Sequence, residues 1–167
     1  AYRCRDSEDT RRFYEDFLGL PLAHVLQIGE TKTGRRARVL HSFFRLDDGS
    51  FLAFFEAPEQ PFEFKRPEDF DLHIALEVED VDTLLAMKQK LRDAGVEVIG
   101  PTDHGFVRSI YFFDPNGHRL ELACPDHEED AMIKRLDAVK WAMLEEWSKT
   151  KRAPQHAAFL HQREYDK

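Results

Sequence analysis

The chain of 167 residues is 42% hydrophobic, which is enough for a packed core in one compact domain or in two small fused modules. Its net charge of −8 comes from acids and bases that are interspersed, which argues against nucleic acid as a partner. No apolar run approaches the roughly 20 residues that span a bilayer, and no secretory segment is seen, so no membrane association is expected. Two cysteines cannot form a disulfide framework, which favours a cytoplasmic location.

Residues 1–57 are predicted to form a first module with the order strand, helix and three strands. Residues 1–5 alternate like a strand, and Asp6 or Ser7 caps a helix that runs to about Leu18 and ends at Gly19. Residues 29–38 are polar and indicate a hairpin tip, and residues 47–50 form a turn. The three strands are predicted at residues 21–28, 39–46 and 51–56, and the buried side of the helix at Phe13, Phe17 and Leu18.

Residues 58–71 contain three prolines and are predicted to form a linker. The same order of elements then returns in a second module at residues 72–125, where Ala75 aligns with Ala1 and Asp80 with Asp6. This repeat predicts an α+β fold in which two tandem βαβββ modules form a pseudo-symmetric mixed-sheet half-barrel with one concave space. Predicted elements are strands at 72–78, 96–99, 108–113 and 119–123, and a helix from Asp80 or Asp82 to Ala94 with Leu84, Leu85, Met87 and Leu91 inward.

Residues 126–167 differ in character from both modules. Apolar residues recur at helical spacing from His127 to about Lys149, which predicts an amphipathic C-terminal helix that covers the fold or a partner subunit. Such a helix is compatible with a homodimer. Residues 151–167 are polar, with an aromatic patch near Phe159, and are predicted to be partly disordered. The apolar positions of the helix are Met132, Ile133, Leu136, Val139, Met143, Leu144 and Trp147.

A hairpin within residues 102–121 carries most of the candidate chemistry. The sequence Asp-Pro-Asn-Gly at 114–117 supplies turn residues between two apolar runs. Because side chains alternate along a strand, Tyr111 shares one face with Arg119 and Glu121, while the opposite face is apolar. This face therefore combines a phenol, a guanidinium and a carboxylate, and His104 precedes Tyr111 by seven residues.

His73 lies on the predicted first strand of the second module, and its parity directs it to the same kind of face as Glu121. The repeat places the first-module equivalent of His73 two residues before Ala1. Two histidines and one carboxylate form a facial triad that suits ferrous iron and leaves coordination sites open for substrate and dioxygen. The chain itself supplies two of these three ligands.

These residues resemble the vicinal oxygen chelate superfamily, which includes glyoxalases, bleomycin-resistance proteins and extradiol dioxygenases. The resemblance covers about residues 1–125 and rests on the two modules, on His73-Ile-Ala-Leu, and on one segment with a specific spacing. That segment matches the signature of extradiol ring-cleavage dioxygenases position for position: Thr102-x-His104, Ile110-Tyr111-x-x-Asp114-Pro115-x-Gly117 and Glu121.

The resemblance implies a metal-dependent oxidoreductase that acts on a catechol-like or otherwise vicinally oxygenated small molecule. Family members of the dioxygenase type bind Fe(II) through residues that match His73 and Glu121 and through a first-strand histidine, here expected before Ala1. Mn, Ni and Zn are alternative metals. The residue matching His104 is associated with hydrogen bonding at the oxygen or substrate site, and the residue matching Tyr111 with the substrate hydroxyl or oxygenated intermediate.

Two alternatives remain open. A glyoxalase I-like lyase or isomerase would use a fourth ligand on the last strand of the first module, where the position equivalent to Glu121 is Ala53. Glu56 lies three residues further on, and strand parity directs it to the other face, which favours three ligands. A metal-free binding protein of the bleomycin-resistance kind is the second alternative, and Phe51 and Phe55 would line its apolar pocket.

One departure from the dioxygenase pattern concerns proton transfer. Dioxygenases of this type carry a further active-site histidine just before the strand that contains Ala53, where this chain has Gly49 and Ser50. His41, on the neighbouring strand, is the candidate replacement.

Overall fold

The computed structural model describes residues 1–152 and residue 155. The predicted aromatic patch near Phe159 lies outside the described residues. The chain divides into two compact units, the first comprising Ala1–His73 and Phe113–Arg119, and the second comprising Ile74–Phe112 and the chain from Leu120 onward. The predicted turn at residues 114–117 therefore belongs to the first unit.

The first half of the sequence forms a mixed four-stranded sheet, as predicted. Its order is β1-β4-β3-β2, with β1 parallel to β4 and the other neighbours antiparallel. The predicted hairpin tip at 29–38 is too wide, because both strands extend into it and Glu30 pairs with Arg36. The strands are β1 (Tyr2–Arg3), β2 (Leu22–Glu30), β3 (Arg36–Arg45) and β4 (Phe51–Glu56).

The second half repeats this topology in the order β5-β8-β7-β6, with β5 parallel to β8. The predicted strand at 96–99 is wrong, since the observed strand starts at residue 99 and contains Pro101. Proline is tolerated there because β6 is an edge strand with a register irregularity between Ile99 and Thr102. The strands are β5 (Ile74–Glu77), β6 (Ile99–Asp103), β7 (Val107–Phe113) and β8 (Arg119–Pro125).

The first helix begins where the sequence predicts it but changes its winding. Asp6 is the N-cap of α1 (Ser7–Arg11), and its carboxylate accepts a hydrogen bond from the Asp9 N–H at 2.8 Å. The chain continues as a π-helical segment, Arg12–Phe17, with bonds from residue i to i−5. The wider turn makes Tyr14 the fully buried residue, whereas Phe13, Phe17 and Leu18, which were predicted to be buried, are only half-buried.

The second helix, α2 (Val81–Asp93), has the equivalent cap, because Asp80 accepts a hydrogen bond from the Thr83 N–H at 2.7 Å. Leu84 and Leu91 are fully buried, which confirms the predicted core face. Leu85 was predicted to be buried and is instead exposed, because one helical step of about 100° turns it away from Leu84.

The registers of the two parallel strand pairs coincide. Tyr2 pairs with Phe54, which is five residues after Gly49, and Leu76 pairs with Leu122, which is five residues after Gly117. Both glycines have positive φ, at 84° and 89°, as hairpin turns require. The two modules are therefore equivalent residue by residue at these strands, and the position equivalent to Glu121 is Ala53.

The predicted C-terminal helix is observed as α3 (Glu129–Thr150), and none of its described side chains is fully buried. Within the described part of the chain, no helix is both long and apolar enough to cross a membrane. These elements confirm the predicted fold class, an α+β protein of two βαβββ modules followed by an amphipathic helix.

Candidate functional site

A chain of hydrogen bonds in the second unit joins three of the predicted site residues. The Nε2 atom of His104 lies 2.9 Å from the Tyr111 hydroxyl oxygen, and this hydroxyl donates to Glu121 Oε1 at 3.1 Å. His104 directly follows β6, Tyr111 lies on β7 and Glu121 lies on β8. The resemblance had grouped these residues, and the structure brings them together.

The directions of these hydrogen bonds follow from the donors and acceptors present. A carboxylate only accepts, so the single hydroxyl proton of Tyr111 points to Glu121. The Tyr111 oxygen can then accept a hydrogen bond from His104, and His104 can donate one when its Nε2 atom carries the proton. The arrangement thus favours the Nε2–H tautomer of His104 and gives a relay in which protons point from the imidazole towards the carboxylate.

Strand alternation keeps this polar face apart from the core. Ile110 and Phe112 on β7 and Leu120 and Leu122 on β8 are buried at 4% exposure or less, on the face opposite Tyr111 and Glu121. Glu121 nevertheless retains only 8% of its surface exposed. Burying a carboxylate is costly unless it is hydrogen-bonded or binds a cation, so its place beside a tyrosine hydroxyl marks it as a functional candidate.

His73 lies immediately before β5, since the strand begins one residue later than the sequence predicts. It is exposed and belongs to the first unit, whereas His104, Tyr111 and Glu121 belong to the second. On β5 the partner of Glu121 is Ala75, two residues after His73. The assignment of His73 as a metal ligand stays a prediction.

The first module offers a different set of groups at the equivalent positions. Ala53, the counterpart of Glu121, has no ligand atom and is buried. The Glu56 carboxylate accepts a hydrogen bond from the Ser7 N–H at 2.8 Å, at the N-terminus of α1. This contact gives Glu56 a structural role in the first unit and agrees with the parity argument that turned it away from the face of Ala53.

His41 lies within a group of rings on the first sheet. Its ring centroid is 3.7 Å from that of Phe55 and 4.0 Å from that of Phe43, and His24 stacks on Phe43 at 4.3 Å. Burial, aided by the neighbouring His24, lowers the pKa of His41. Its Nε2 atom is buried and has no hydrogen-bond partner among the described residues. Sequence reasoning named His41 but missed His24, which the pairing of β2 with β3 brings beside it.

Sequence reasoning named Asp114 as a turn residue and as a position of the signature, but missed its structural role. Its buried carboxylate accepts hydrogen bonds from the Tyr14 hydroxyl at 2.9 Å, from the Asn116 N–H at 2.8 Å and from the His118 N–H at 2.7 Å. The Asn116 side chain in turn accepts from the Arg5 N–H at 2.8 Å and donates to the Thr10 hydroxyl. These bonds fix the turn to β1 and α1 within the first unit.

The donor types suit a first-row divalent metal, because carboxylate oxygen and imidazole nitrogen are the ligands that Mn, Fe and Zn prefer. A metal ligand also accounts for a nearly buried carboxylate such as Glu121. Among the described residues, however, no group of three or more His, Cys, Asp and Glu side chains could hold a metal ion. The residues present therefore fit part of a metal site.

Comparison with known proteins places the chain in a family. The model of the Glyoxalase/Bleomycin resistance protein/Dioxygenase superfamily matches residues 1–122, and the chain belongs to this superfamily. This confirms the resemblance drawn from the sequence. No curated protein sequence matches the chain.

Solved structures of several differently described proteins share this fold. A glyoxylase/bleomycin resistance protein/dioxygenase domain from Frankia sp. EAN1pec is 20% identical, covers 75% of this chain and 93% of its own, and has a TM-score of 0.58. The fosfomycin resistance protein FosX from Listeria monocytogenes, in complex with Mn(II) and sulfate, is 20% identical with coverages of 77% and 91% and a TM-score of 0.54. An integron cassette protein from the Halifax Harbour sewage outfall metagenome is 24% identical with coverages of 74% and 94% and a TM-score of 0.53. At these identities the similarity establishes the fold.

Proposed function

We propose that the protein is a metal-dependent dioxygenase of the extradiol type that acts on a catechol-like or otherwise vicinally oxygenated small molecule. The observation that carries this proposal is the hydrogen-bond chain from His104 through Tyr111 to the buried carboxylate of Glu121. The three residues stand at the spacing of the ring-cleavage signature, and their side chains meet although 17 positions separate the first from the last.

In this proposal His73 and Glu121 are two of the three protein ligands of a divalent metal, most simply Fe(II). The register between β5 and β8 supports this choice of ligands, because Ala75, two residues after His73, is the strand partner of Glu121. The FosX structure contains Mn(II), so Mn(II) should be tested beside Fe(II). When bound, the metal would supply Lewis-acid polarisation of the substrate oxygens and the redox chemistry that dioxygen requires.

The residues of the chain would manage the protons. With Glu121 serving as a ligand, the hydroxyl of Tyr111 could donate its proton to a substrate oxygen about 2.5–3.0 Å away, the usual distance for O–H···O hydrogen bonds. His104, protonated on Nε2, donates to the Tyr111 oxygen and stabilises negative charge that develops there. His104 and Tyr111 would therefore act together as a proton-donating pair.

The contact of Glu56 with Ser7 favours this proposal over a glyoxalase I-like lyase or isomerase. A four-ligand site would need a carboxylate on β4, and Glu56 already serves the N-terminus of α1 while Ala53 carries no donor. A three-ligand set of two histidines and one carboxylate leaves more positions open, as a reaction with both substrate and dioxygen requires.

Reconstitution experiments can test the proposal. Protein stripped of metal is loaded anaerobically with Fe(II) or Mn(II), and oxygen uptake is followed with a panel of catechols. We expect uptake that depends on the metal and on a vicinal diol, and we expect Glu121→Gln to weaken metal affinity at least about a hundredfold. Glu79→Gln, an exposed carboxamide substitution just after β5, is the matched control and should retain affinity.

Each rival function predicts a different result. Metal-dependent lyase or isomerase activity without oxygen uptake would replace the dioxygenase with a glyoxalase I-like enzyme. Tight binding of an aromatic drug with no metal affinity in the wild-type protein would identify a binding protein, and would contradict the assignment of His73 and Glu121 as ligands.

A further inference from the structure

The outer surface of α3 carries a line of exposed residues separate from its half-buried inner side. Ile133, Asp137, Lys140 and Leu144 follow one another at steps of four, three and four, which places them along one stripe of the helix. Ile133 and Leu144 are 49% and 56% exposed. The inner side is formed by other residues, namely Met132, Leu136, Val139 and Met143, which are half-buried.

We propose that this outer stripe pairs α3 with α3 of a second copy of the chain, in antiparallel orientation about a two-fold axis. The stripe is self-complementary in that orientation. With the axis between Asp137 and Lys140, each Asp137 faces Lys140 of the other copy, and each Ile133 faces Leu144 of the other copy. Two apolar contacts then flank two ion pairs, as an isologous interface requires.

The charges of the stripe select this orientation. In a parallel pair the same residues would face their own counterparts, so Asp137 would meet Asp137 and Lys140 would meet Lys140, which is unfavourable. Within one chain these two side chains already form an ion pair, which holds them side by side on the outer face.

The ends of the helix add to the complementarity. Residues before and in the first turn of α3 are acidic, whereas Lys149, Lys151 and Arg152 lie at and beyond its last turn. In the antiparallel orientation the acidic first turn of each helix lies at the same level along the axis as the basic last turn of the other copy. Large exposed apolar residues such as Trp141 and Trp147 flank the stripe, as is common at interfaces between chains.

Both tryptophans of the chain lie on α3, so their fluorescence reports on this helix alone. We expect the full chain to be a dimer by analytical ultracentrifugation. On dilution the tryptophan emission should shift to longer wavelength, and the midpoint concentration of this shift should equal that of dimer dissociation. A chain that remains monomeric at all soluble concentrations, with tryptophan emission that is independent of dilution, would overturn the proposal.

Leu144→Asp tests whether the stripe itself is the contact. The substitution should raise the dissociation constant of the dimer at least about tenfold, because each dimer contains the residue twice. Leu85→Asp, at an exposed leucine on α2, is the matched control and should leave the dimer intact. Equal dissociation constants for wild type and Leu144→Asp would mean that another surface forms the dimer, and would refute the proposal.

Charge exchange tests the orientation. Asp137→Lys and Lys140→Asp should each weaken self-association several-fold, whereas an equimolar mixture of the two variants should associate like the wild type, since every facing pair is then opposite in sign. The double variant Asp137→Lys/Lys140→Asp should also self-associate like the wild type. Mixing the two variants cannot restore the ion pair within one helix, so any recovery must come from contacts between chains. If the mixture fails to associate while each variant retains full helicity by circular dichroism, the proposed pairing is contradicted.

Discussion

Single residues in this protein divide between chemistry and support, and Asp114 belongs to the second group although it stands in the ring-cleavage signature. Its carboxylate organises the turn and accepts a hydrogen bond from the hydroxyl of Tyr14 in the π-helical segment. Burial and the neighbouring Asp114 raise the pKa of Tyr14 well above its usual value, so the phenol stays a donor.

Tyr14→Phe should therefore lower the free energy of unfolding by about 1–2 kcal/mol, because it removes a buried hydrogen bond while keeping the ring. Urea denaturation followed by circular dichroism measures the change. Unaltered stability would show that the Tyr14 hydroxyl contributes nothing to fixing the turn.

The half-buried imidazole of His41, whose Nε2 atom is buried, should make stability depend on pH. Its folded-state pKa lies below the ordinary value of about 6.5, so below that value the unfolded chain binds a proton more readily than the folded one. The contribution of neutral His41 to the free energy of unfolding is fully present above pH 6.5. It is lost as the pH falls through 6.5 towards the lowered pKa. His41→Phe should reduce the slope of stability against pH between about pH 7 and 5. An identical slope in both proteins would contradict a lowered folded-state pKa of His41.

At the scale of elements, the two helices start in the same way. Asp6 and Asp80 each have extended backbone angles and accept from the N–H three residues later, and this hydrogen bond lowers the pKa of Asp80. The sequence allowed either Asp80 or Asp82 as the cap, and the structure selects Asp80.

Asp80→Ala should accordingly destabilise the protein by about 1 kcal/mol, whereas Asp82→Ala, which removes an acid from the first turn without removing the cap, should cost less than half of that. Thermal unfolding of the two variants beside the wild type makes the comparison. Equal losses would imply that the helix dipole, rather than the capping bond, accounts for the effect.

Much of this architecture follows from local patterns in the sequence. Alternation, turn glycines and the internal repeat predict seven of the strands at or near their observed places, and they place Tyr111 and Glu121 on one face. Structural features that depend on contacts between residues distant in the sequence were not predicted. The π-helical winding that buries Tyr14 is tied to Asp114, 100 residues away, and the strand around Pro101 exists because β7 pairs with it.

The candidate site shows the same division. Spacing identified His104, Tyr111 and Glu121, but the direction of their hydrogen bonds and the burial of Glu121 required coordinates. The ring group around His41 and His24 depends on cross-strand register, which no local motif encodes.

At the scale of the whole molecule, two equivalent modules have different chemistry. The parallel pairs β1–β4 and β5–β8 share one register, yet the shared position holds Ala53 in the first module and Glu121 in the second. The repeat thus provides two similar frameworks. The second carries the hydrogen-bonded residues His104, Tyr111 and Glu121, and the first carries the aromatic group of β2, β3 and β4.

The most direct test of the proposed reaction is the fate of isotopically labelled dioxygen in protein loaded with Fe(II) and supplied with a catechol. The account predicts a ring-opened product that contains both atoms of one dioxygen molecule. It also predicts a kcat about a hundredfold lower for Tyr111→Phe at unchanged metal content, because the variant loses the proton donor but keeps the ligands. Absence of label in any product, or a Tyr111→Phe variant as fast as the wild type, would contradict it.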